Sequence, residues 1–356
     1  MLNKAGILAI GVGLGCAAPA FAEIKTAGDW EFYGRAHFSI DSLDDGADYN
    51  RINASSNSSR LGFRGSKSFG DLKGIWQIEQ EIFFNLNGSN TEALNRFATR
   101  DTYAGLQGKF GQVRFGKFDT PFKVARDPAN LFGDQVGDMR NLTRVGDARF
   151  DERPNNILEY QSPVMNGFRV KVAYALHEAA SATVTNGTDK KDASTSAALH
   201  YAAGRLDAAL AYESYGKDAS YGKRDATRLA VGYKVTDTLK LVGFYQDANH
   251  TPLAGKVTDG GQVMGIGAEY QLFADMTLRA HYMSRSADKA NADATMYTVG
   301  VEKKIDNALR LYVNLAQVNN DPAANLTPWV QGRSTTQAGV AGKDSRAISF
   351  GMRYDF

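Results

Sequence analysis

From Asp29 onward the chain alternates. Trp30, Phe32, Gly34, Ala36, Phe38 and Ile40 form one row, and Glu31, Tyr33, Arg35, His37, Ser39 and Asp41 form the other. A period of two with one apolar and one polar row is the pattern of a strand with two different faces. It returns at Phe168, Val170, Val172, Tyr174 and Leu176, which alternate with Arg169, Lys171 and small residues. Met276, Leu278, Ala280 and Tyr282 alternate with Thr277, Arg279 and His281; Leu309, Leu311, Val313 and Leu315 alternate with Arg310, Tyr312 and Asn314. The end of the chain repeats it, with Ile348, Phe350, Met352, Tyr354 and Phe356 against Ser349, Arg353 and Asp355. No window carries a sustained amphipathic helix.

The runs predict strands near 29–41, 57–68, 72–85, 99–108, 112–118, 155–162, 168–177, 193–202, 205–214, 226–235, 238–247, 261–271, 276–285, 294–304, 308–317 and 345–356, sixteen in all. Seven short connections, such as Phe69-Gly70-Asp71, Lys109-Phe110-Gly111 and Ile305-Asp306-Asn307, interleave with eight long ones near 42–56, 86–98, 119–154, 178–192, 215–225, 248–260, 286–293 and 318–344. Strict alternation of short and long connections with an even strand count predicts a closed antiparallel meander with both chain ends on the short-turn side. Strands averaging about ten residues can cross a bilayer when tilted. Closure matters in lipid, because each unpaired backbone group at an open edge costs several kcal/mol.

One stretch breaks the rhythm. Residues 119–154 contain Pro121, Pro128 and Pro154, glycines at 133, 137 and 146, and dense charge of both signs. Connections of this length without regular alternation are uncommon and usually functional. This segment, the third long loop, is expected to fold into the barrel lumen and narrow it.

Composition removes rival classes. Residues 1–22 read as a cleaved secretory signal, with Lys4 as the charged start, an apolar stretch over 7–14 and Ala20-Phe21-Ala22 as the cleavage site. Residues 23–356 form the mature barrel, which then lacks the single cysteine, Cys16, and with it any disulfide or Cys-based metal site. Forty Lys and Arg stand against 39 Asp and Glu in that part, a balance that argues against a nucleic-acid partner. No later apolar run approaches the roughly 18 residues a membrane-crossing helix needs. The mean hydropathy of −0.36 is compatible with a membrane barrel, where only alternate residues face lipid.

Several motifs together resemble the general, non-specific porins of Gram-negative outer membranes. Ser59-Arg60-Leu61-Gly62-Phe63-Arg64-Gly65, then Phe69-Gly70-Asp71-Leu72-Lys73 and Trp76-Gln77-Ile78-Glu79, are similar to the second and third strands of that family. Residues 100–106 (RDTYAGL) and 110–117 (FGQVRFGK) resemble its fourth and fifth, and 156–163 (NILEYQSP) the strand that leaves the third loop. Arg353-Tyr354-Asp355-Phe356 looks like its terminal targeting segment. The resemblance implies an all-β fold, a 16-stranded antiparallel transmembrane β-barrel with an inward-folded third loop. It also implies a homotrimer in outer-membrane lipid that passes ions and small hydrophilic solutes without a cofactor.

In that family a basic cluster on the barrel wall faces acids on the inserted loop. Arg35, Arg60, Arg64, Arg100 and Arg153 occupy matching wall positions or rows, and Asp127, Asp134 and Asp138 are the candidate loop acids; Leu131-Phe132-Gly133-Asp134 departs from the family's loop tip. Arginine stays protonated in proteins, so an Arg row opposite carboxylates makes a permanent transverse field. Seven acids and six bases nearly cancel within 119–154, so the wall bases predict a weak anion preference. An outer-membrane barrel enzyme is the alternative of a different class, but His37, His177, His200, His250 and His281 show no partner at diagnostic spacing. A solute-specific channel is another alternative, though the aromatics fall mostly on outward rows. Trp329 in the last long loop reads as a packing residue.

Overall fold

The computed structural model describes residues 28–84, 97–176, 193–218 and 221–356. The expected signal over 1–22, His177 and most of the expected loops 86–98 and 178–192 lie outside the described residues. What is described is one antiparallel sheet closed on itself.

The strands are β1 (Asp29–Asp44), β2 (two collinear segments, Asn50–Ser56 and Arg60–Phe69), β3 (Leu72–Ile82), β4 (Phe97–Gly108), β5 (Gly111–Lys117), β6 (Ile157–Gln161), β7 (Phe168–Ala175) and β8 (Ser194–Ala203). They continue as β9 (Leu206–Asp218), β10 (Gly222–Lys234), β11 (Leu239–Thr251), β12 (Gly261–Phe273), β13 (Met276–Ala287), β14 (Ala294–Lys304), β15 (Leu309–Asn320) and β16 (Ser345–Asp355). Each pairs with its sequence neighbour, and β1 closes the ring on β16 with Arg35 opposite Asp355 and Asp44 opposite Arg346. Phe356 adds a reciprocal pair of backbone hydrogen bonds with Gly34, at 2.7 and 3.0 Å.

β2 counts as one strand because both of its segments pair with β1, Asn50–Ser56 with the upper half and Arg60–Ser66 with the lower. The break falls at Ser58, whose φ is +52°. Beside it Ser59 Oγ stands in for ladder groups: it donates to the His37 carbonyl at 2.8 Å and accepts from the His37 amide at 3.0 Å. The expected loops 42–56 and 215–225 are correspondingly shorter, since β2 begins at Asn50 and β9 and β10 extend to Asp218 and Gly222. In residues 50–56 only Ile52 and Ala54 mark the outward row, too short an apolar signal for alternation to reveal the strand, while backbone pairing continues.

The two rows of each strand separate as the alternation predicts. Ile40, Phe63, Ile78, Phe115, Leu158, Ile266, Leu315 and Phe350 are exposed on the outside, forming an apolar belt that water would not tolerate and lipid does. His37, Ser39, Asp41, Glu79, Arg228, Gln246 and Asn314 are buried on the inside. The buried apolar clusters lie there too, between the inner rows and the long connection from β5 to β6. Phe132, Met139 and Leu142 of that connection pack with Val263, Met283, Met296 and Val318 of the wall. Phe122 and Phe150 pack with alanines of β8 to β11.

Candidate functional site

The β5–β6 connection is held to the inner wall by hydrogen bonds along its whole length. A turn of helix at Pro121–Val124 starts it, with Thr120 Oγ1 accepting from the Lys123 amide at 3.2 Å and proline at the first helical position, where no amide is needed. The Phe122 amide donates to Ser196 Oγ at 3.0 Å, and Arg228 donates to the Phe122 carbonyl at 2.9 Å. Further along, Arg279 donates to the Leu131 carbonyl at 2.8 Å, and Asn314 donates to Gln135 Oε1 at 2.8 Å. Gly137, at φ +85°, sits so close to β14 that a Cβ there would lie 2.3 Å from Thr298. A second short helix, Arg140–Thr143, follows.

Between this segment and the wall lies a polar cavity of about 450 Å³. Nine cations and four acids line it. Arg35, Arg60, Arg100, Arg279, Arg310 and Arg353 come from the wall; Lys123, Arg126 and Arg140 come from the connection. The acids are Asp119, Asp127, Asp134 and Glu302.

Ion pairs fix many of these groups. A register shift between β3 and β4 at Ile78 and Gln80 turns the two consecutive residues Arg100 and Asp101 toward the same side. Arg100 donates from Nε to Glu79 at 2.7 Å and from Nη1 to Glu81 at 3.2 Å. Arg60 lies 3.7 Å from the same Glu79, whose other oxygen accepts from Tyr33 at 2.9 Å. Arg35 donates to Asp355 at 2.6 Å, which also accepts from Arg353 at 2.8 Å. Arg279 donates to Glu302 at 2.9 Å.

Asp134 occupies the tip of the connection in a left-handed conformation, φ +61°. Arg140 donates to it at 2.7 Å and to Asp138 at 2.6 Å, and Asp138 itself accepts from the Asp134 amide at 2.7 Å. Burial opposes ionisation of Asp134, but Arg140 beside it, with Arg60 and Arg100 across the cavity, holds its carboxyl well below the usual range. Asp119 is treated alike: burial raises it, and Lys123, Arg153 and Arg100 bring it down further than burial lifts it.

Of the residues singled out from sequence, Arg35, Arg60, Arg100, Asp127 and Asp134 come together around this cavity. Arg153 lies behind it, donating to Asp101 at 2.5 Å and reaching Asp119 at 2.6 Å. Asp138 is fully buried beneath Arg140. Arg64 lies elsewhere, near the short-turn rim, paired with Glu31 and stacked over Tyr33 at 4.9 Å. Arg279, Arg310 and Arg353 were visible in sequence as polar-row residues, but their height along the strands was not. Among the described residues, no group of three or more His, Cys, Asp or Glu could hold a metal ion.

The profile of the Gram-negative porin family matches residues 7–323. Outer membrane porin protein 32 of Delftia acidovorans is 28% identical over 312 residues, 84% of each chain. Among solved structures, an anion-selective porin from Comamonas acidovorans aligns with a TM-score of 0.78 and 22% identity over 92% of this chain and 99% of that one. The trimer form of in-vitro folded OmpT, an outer membrane protein of Vibrio cholerae, aligns at 0.67 and 18% identity over 93% and 100%.

Proposed function

Because the chain belongs to the Gram-negative porin family and is an outer-membrane porin channel, we propose that the cavity between the β5–β6 connection and the wall is its constriction and gives the channel a weak anion preference. The observation that carries this is the excess of cations around it, nine against four acids. The guanidinium groups keep their charge at any physiological pH. Narrow walls of low polarisability focus their field on whatever passes, and rings of Arg and Lys favour anions in this way. The excess is tempered by Glu79, Glu81, Asp138 and Asp355, each paired with a cavity arginine, so the preference is weak rather than absolute.

Arg35, Arg60 and Arg100 serve as the wall charges in this reading, and Asp127 and Asp134 as the opposing acids. Arg153 and Asp138 act one step removed, holding Asp119 and Arg140. Among the described residues, no aromatic side chain lines the cavity, which favours general diffusion of small hydrophilic solutes over selection of sugars. The Comamonas protein described as anion-selective supports the direction of the preference, and the trimer form of the Vibrio protein supports a homotrimer.

Planar-bilayer recording across a KCl gradient tests the proposal. The expected reversal potential has the sign of chloride permeation, and Arg60→Ser with Arg100→Ser moves it toward potassium. A cation-selective wild-type channel, or a double variant with unchanged reversal, overturns it. Conductance appearing in steps of three supports the trimer, and single independent steps count against it.

A further inference from the structure

The last long connection, residues 321–344, also enters the interior, and it does so at the cavity. Its Trp329 is fully buried against Leu43, Val136, Ala316 and Ala347, and the indole donates to the Gln337 carbonyl at 2.9 Å. Arg333 has no exposed side-chain surface and pairs with Asp41 of β1, which is equally enclosed. The next residue docks at the break in β2: the Ser334 amide donates to the Ser56 carbonyl and the Ser56 amide to Ser334 Oγ, both at 2.9 Å.

The same segment grips the β5–β6 connection. The Gly137 amide donates to the Pro328 carbonyl at 2.7 Å. The Gln331 amide donates to Asn141 Oδ1 at 3.1 Å, and Arg144 donates to the Gln331 side chain at 3.1 Å. Ser58, at the strand break, has its one hydroxyl proton within reach of acceptors on both sides, the Gly332 carbonyl at 3.1 Å and Asp134 at 3.3 Å. Gly332 itself is pressed against the ion pair at the cavity. With φ +72°, it leaves no space for a methyl group, whose carbon would lie 2.3 Å from Arg140 Nη2 and 2.4 Å from Asp134 Oδ1.

We propose that Gly332 and Arg333 of the 321–344 connection are positioning residues that hold the Asp134–Arg140 pair and thereby set the ion preference of the cavity. The proposal rests on that cavity being the constriction. Asp41 and Arg333 latch the segment to the wall, and Gly332, having no side chain, leaves the room in which Asp134 pairs with Arg140 at the edge of the cavity. Arg140 has a second carboxylate, Asp138, so it stays in place when the segment shifts. Among the described residues, the Asp134 carboxylate is held otherwise only by the Ser58 hydroxyl, so a shifted segment breaks its pairing with Arg140 and leaves its charge uncompensated in the cavity.

The test compares the full chain with Gly332→Ala, Arg333→Gln and Arg333→Lys, each checked for a folded barrel by heat-modifiable gel mobility, in planar bilayers under a KCl gradient. Gly332→Ala and Arg333→Gln are expected to lower the chloride-to-potassium permeability ratio by about twofold or more, and Arg333→Lys to recover most of the loss. Asp134→Asn is expected to abolish the effect of Gly332→Ala, which a loss of general packing would not do. Should Gly332→Ala fail to fold, Asp41→Asn with Arg333→Gln carries the same expectation. An unchanged ratio in these variants, with Arg100→Ser still shifting it, overturns the role of the segment and leaves the constriction intact. If Arg100→Ser also has no effect, the constriction reading itself is wrong, and the proposal falls with it.

Discussion

Arg228 and Asp151 form a two-pronged ion pair in which neither side chain has any exposed surface: Nη1 lies 2.5 Å from Oδ1 and Nη2 lies 3.0 Å from Oδ2. Arg228 belongs to β10 and Asp151 to the connection that closes on β6, so the pair ties that connection to the wall far from β5. Arg228 also donates to Gln246 at 2.6 Å, and its guanidinium stacks 4.0 Å from the centre of the Phe122 ring. Removing Arg228 leaves the buried Asp151 carboxylate with Arg126, 3.3 Å away, as its remaining ion-pair partner. Arg228→Ala is therefore expected to cost about 3–5 kcal/mol, while replacing both partners by apolar residues of similar volume costs much less. Thermal conversion of the folded to the unfolded gel form measures the first, and current noise in single channels reports the loosened connection. A cost within the range of a surface pair, about 1 kcal/mol or below, would show that the pair is dispensable.

Arg60 and Arg100 share Glu79, but Arg100 alone also holds Glu81. Taking away Arg100 removes one positive charge, uncovers Glu81 and leaves Glu79 to Arg60 and Tyr33. Arg100→Ser is thus expected to shift the reversal potential toward potassium more than Arg60→Ser does. Equal shifts would indicate that Glu79 and Glu81 remain neutralised by other groups.

The cavity acids differ in when they lose their charge. Asp134 and Asp119 are held below the usual carboxylate range by the cations around them, against the effect of burial. They keep their charge through moderate acidification. By the same sign, the hold of Arg140 on Asp134 is fully present at neutral pH and is lost only when pH falls through that depressed value. Asp127 is different: its side chain is open to cavity water, yet the enclosing lumen pushes its carboxyl upward, opposed by Arg126. As pH falls, Asp127 is neutralised before Asp134 and Asp119, and the cavity becomes more positive. Anion preference is expected to rise above the pH at which free carboxylates titrate, and Asp127→Asn to remove that rise while raising the preference at neutral pH. Reversal potentials measured stepwise with pH decide it.

Gly137 touches β14 where a side chain has no place, and its φ of +85° is strained for any residue with a Cβ. Gly137→Ala is expected to destabilise the folded barrel by about 1–3 kcal/mol. Thr298→Ala in the same chain is expected to return part of that loss, since the hydroxyl and methyl of Thr298 are the nearest atoms. Full recovery would assign the whole cost to the clash and none to the backbone.

The strand plan was legible in the sequence because each strand meets two media. Lipid demands apolar atoms at alternate positions, and the lumen accepts polar ones, so Trp30, Phe32, Phe38 and Ile40 mark one face and Arg35, His37, Ser39 and Asp41 the other without reference to any distant residue. The break in alternation over 119–154 was visible for the same reason. Where the apolar row is sparse, as at Asn50–Ser56 with only Ile52 and Ala54, the code is faint, and pairing with β1 shows the strand.

By itself, then, the sequence determined the sixteen strands, their order, the faces of the arginines and the unusual third connection. The tertiary structure decided which charges meet. Alternation gives a side but not a height, and the height at which Arg279, Arg310 and Arg353 join Arg35, Arg60 and Arg100 depends on strand register around the closed ring. Nor does a charged residue in a connection announce its partner. Asp134 reaches the cavity and Asp138 lies buried beneath Arg140, though both are acids of one connection, and Arg333 finds Asp41 across 292 positions of chain. Local alternation is written in neighbours, whereas a constriction is made by the closing of distant segments on one another.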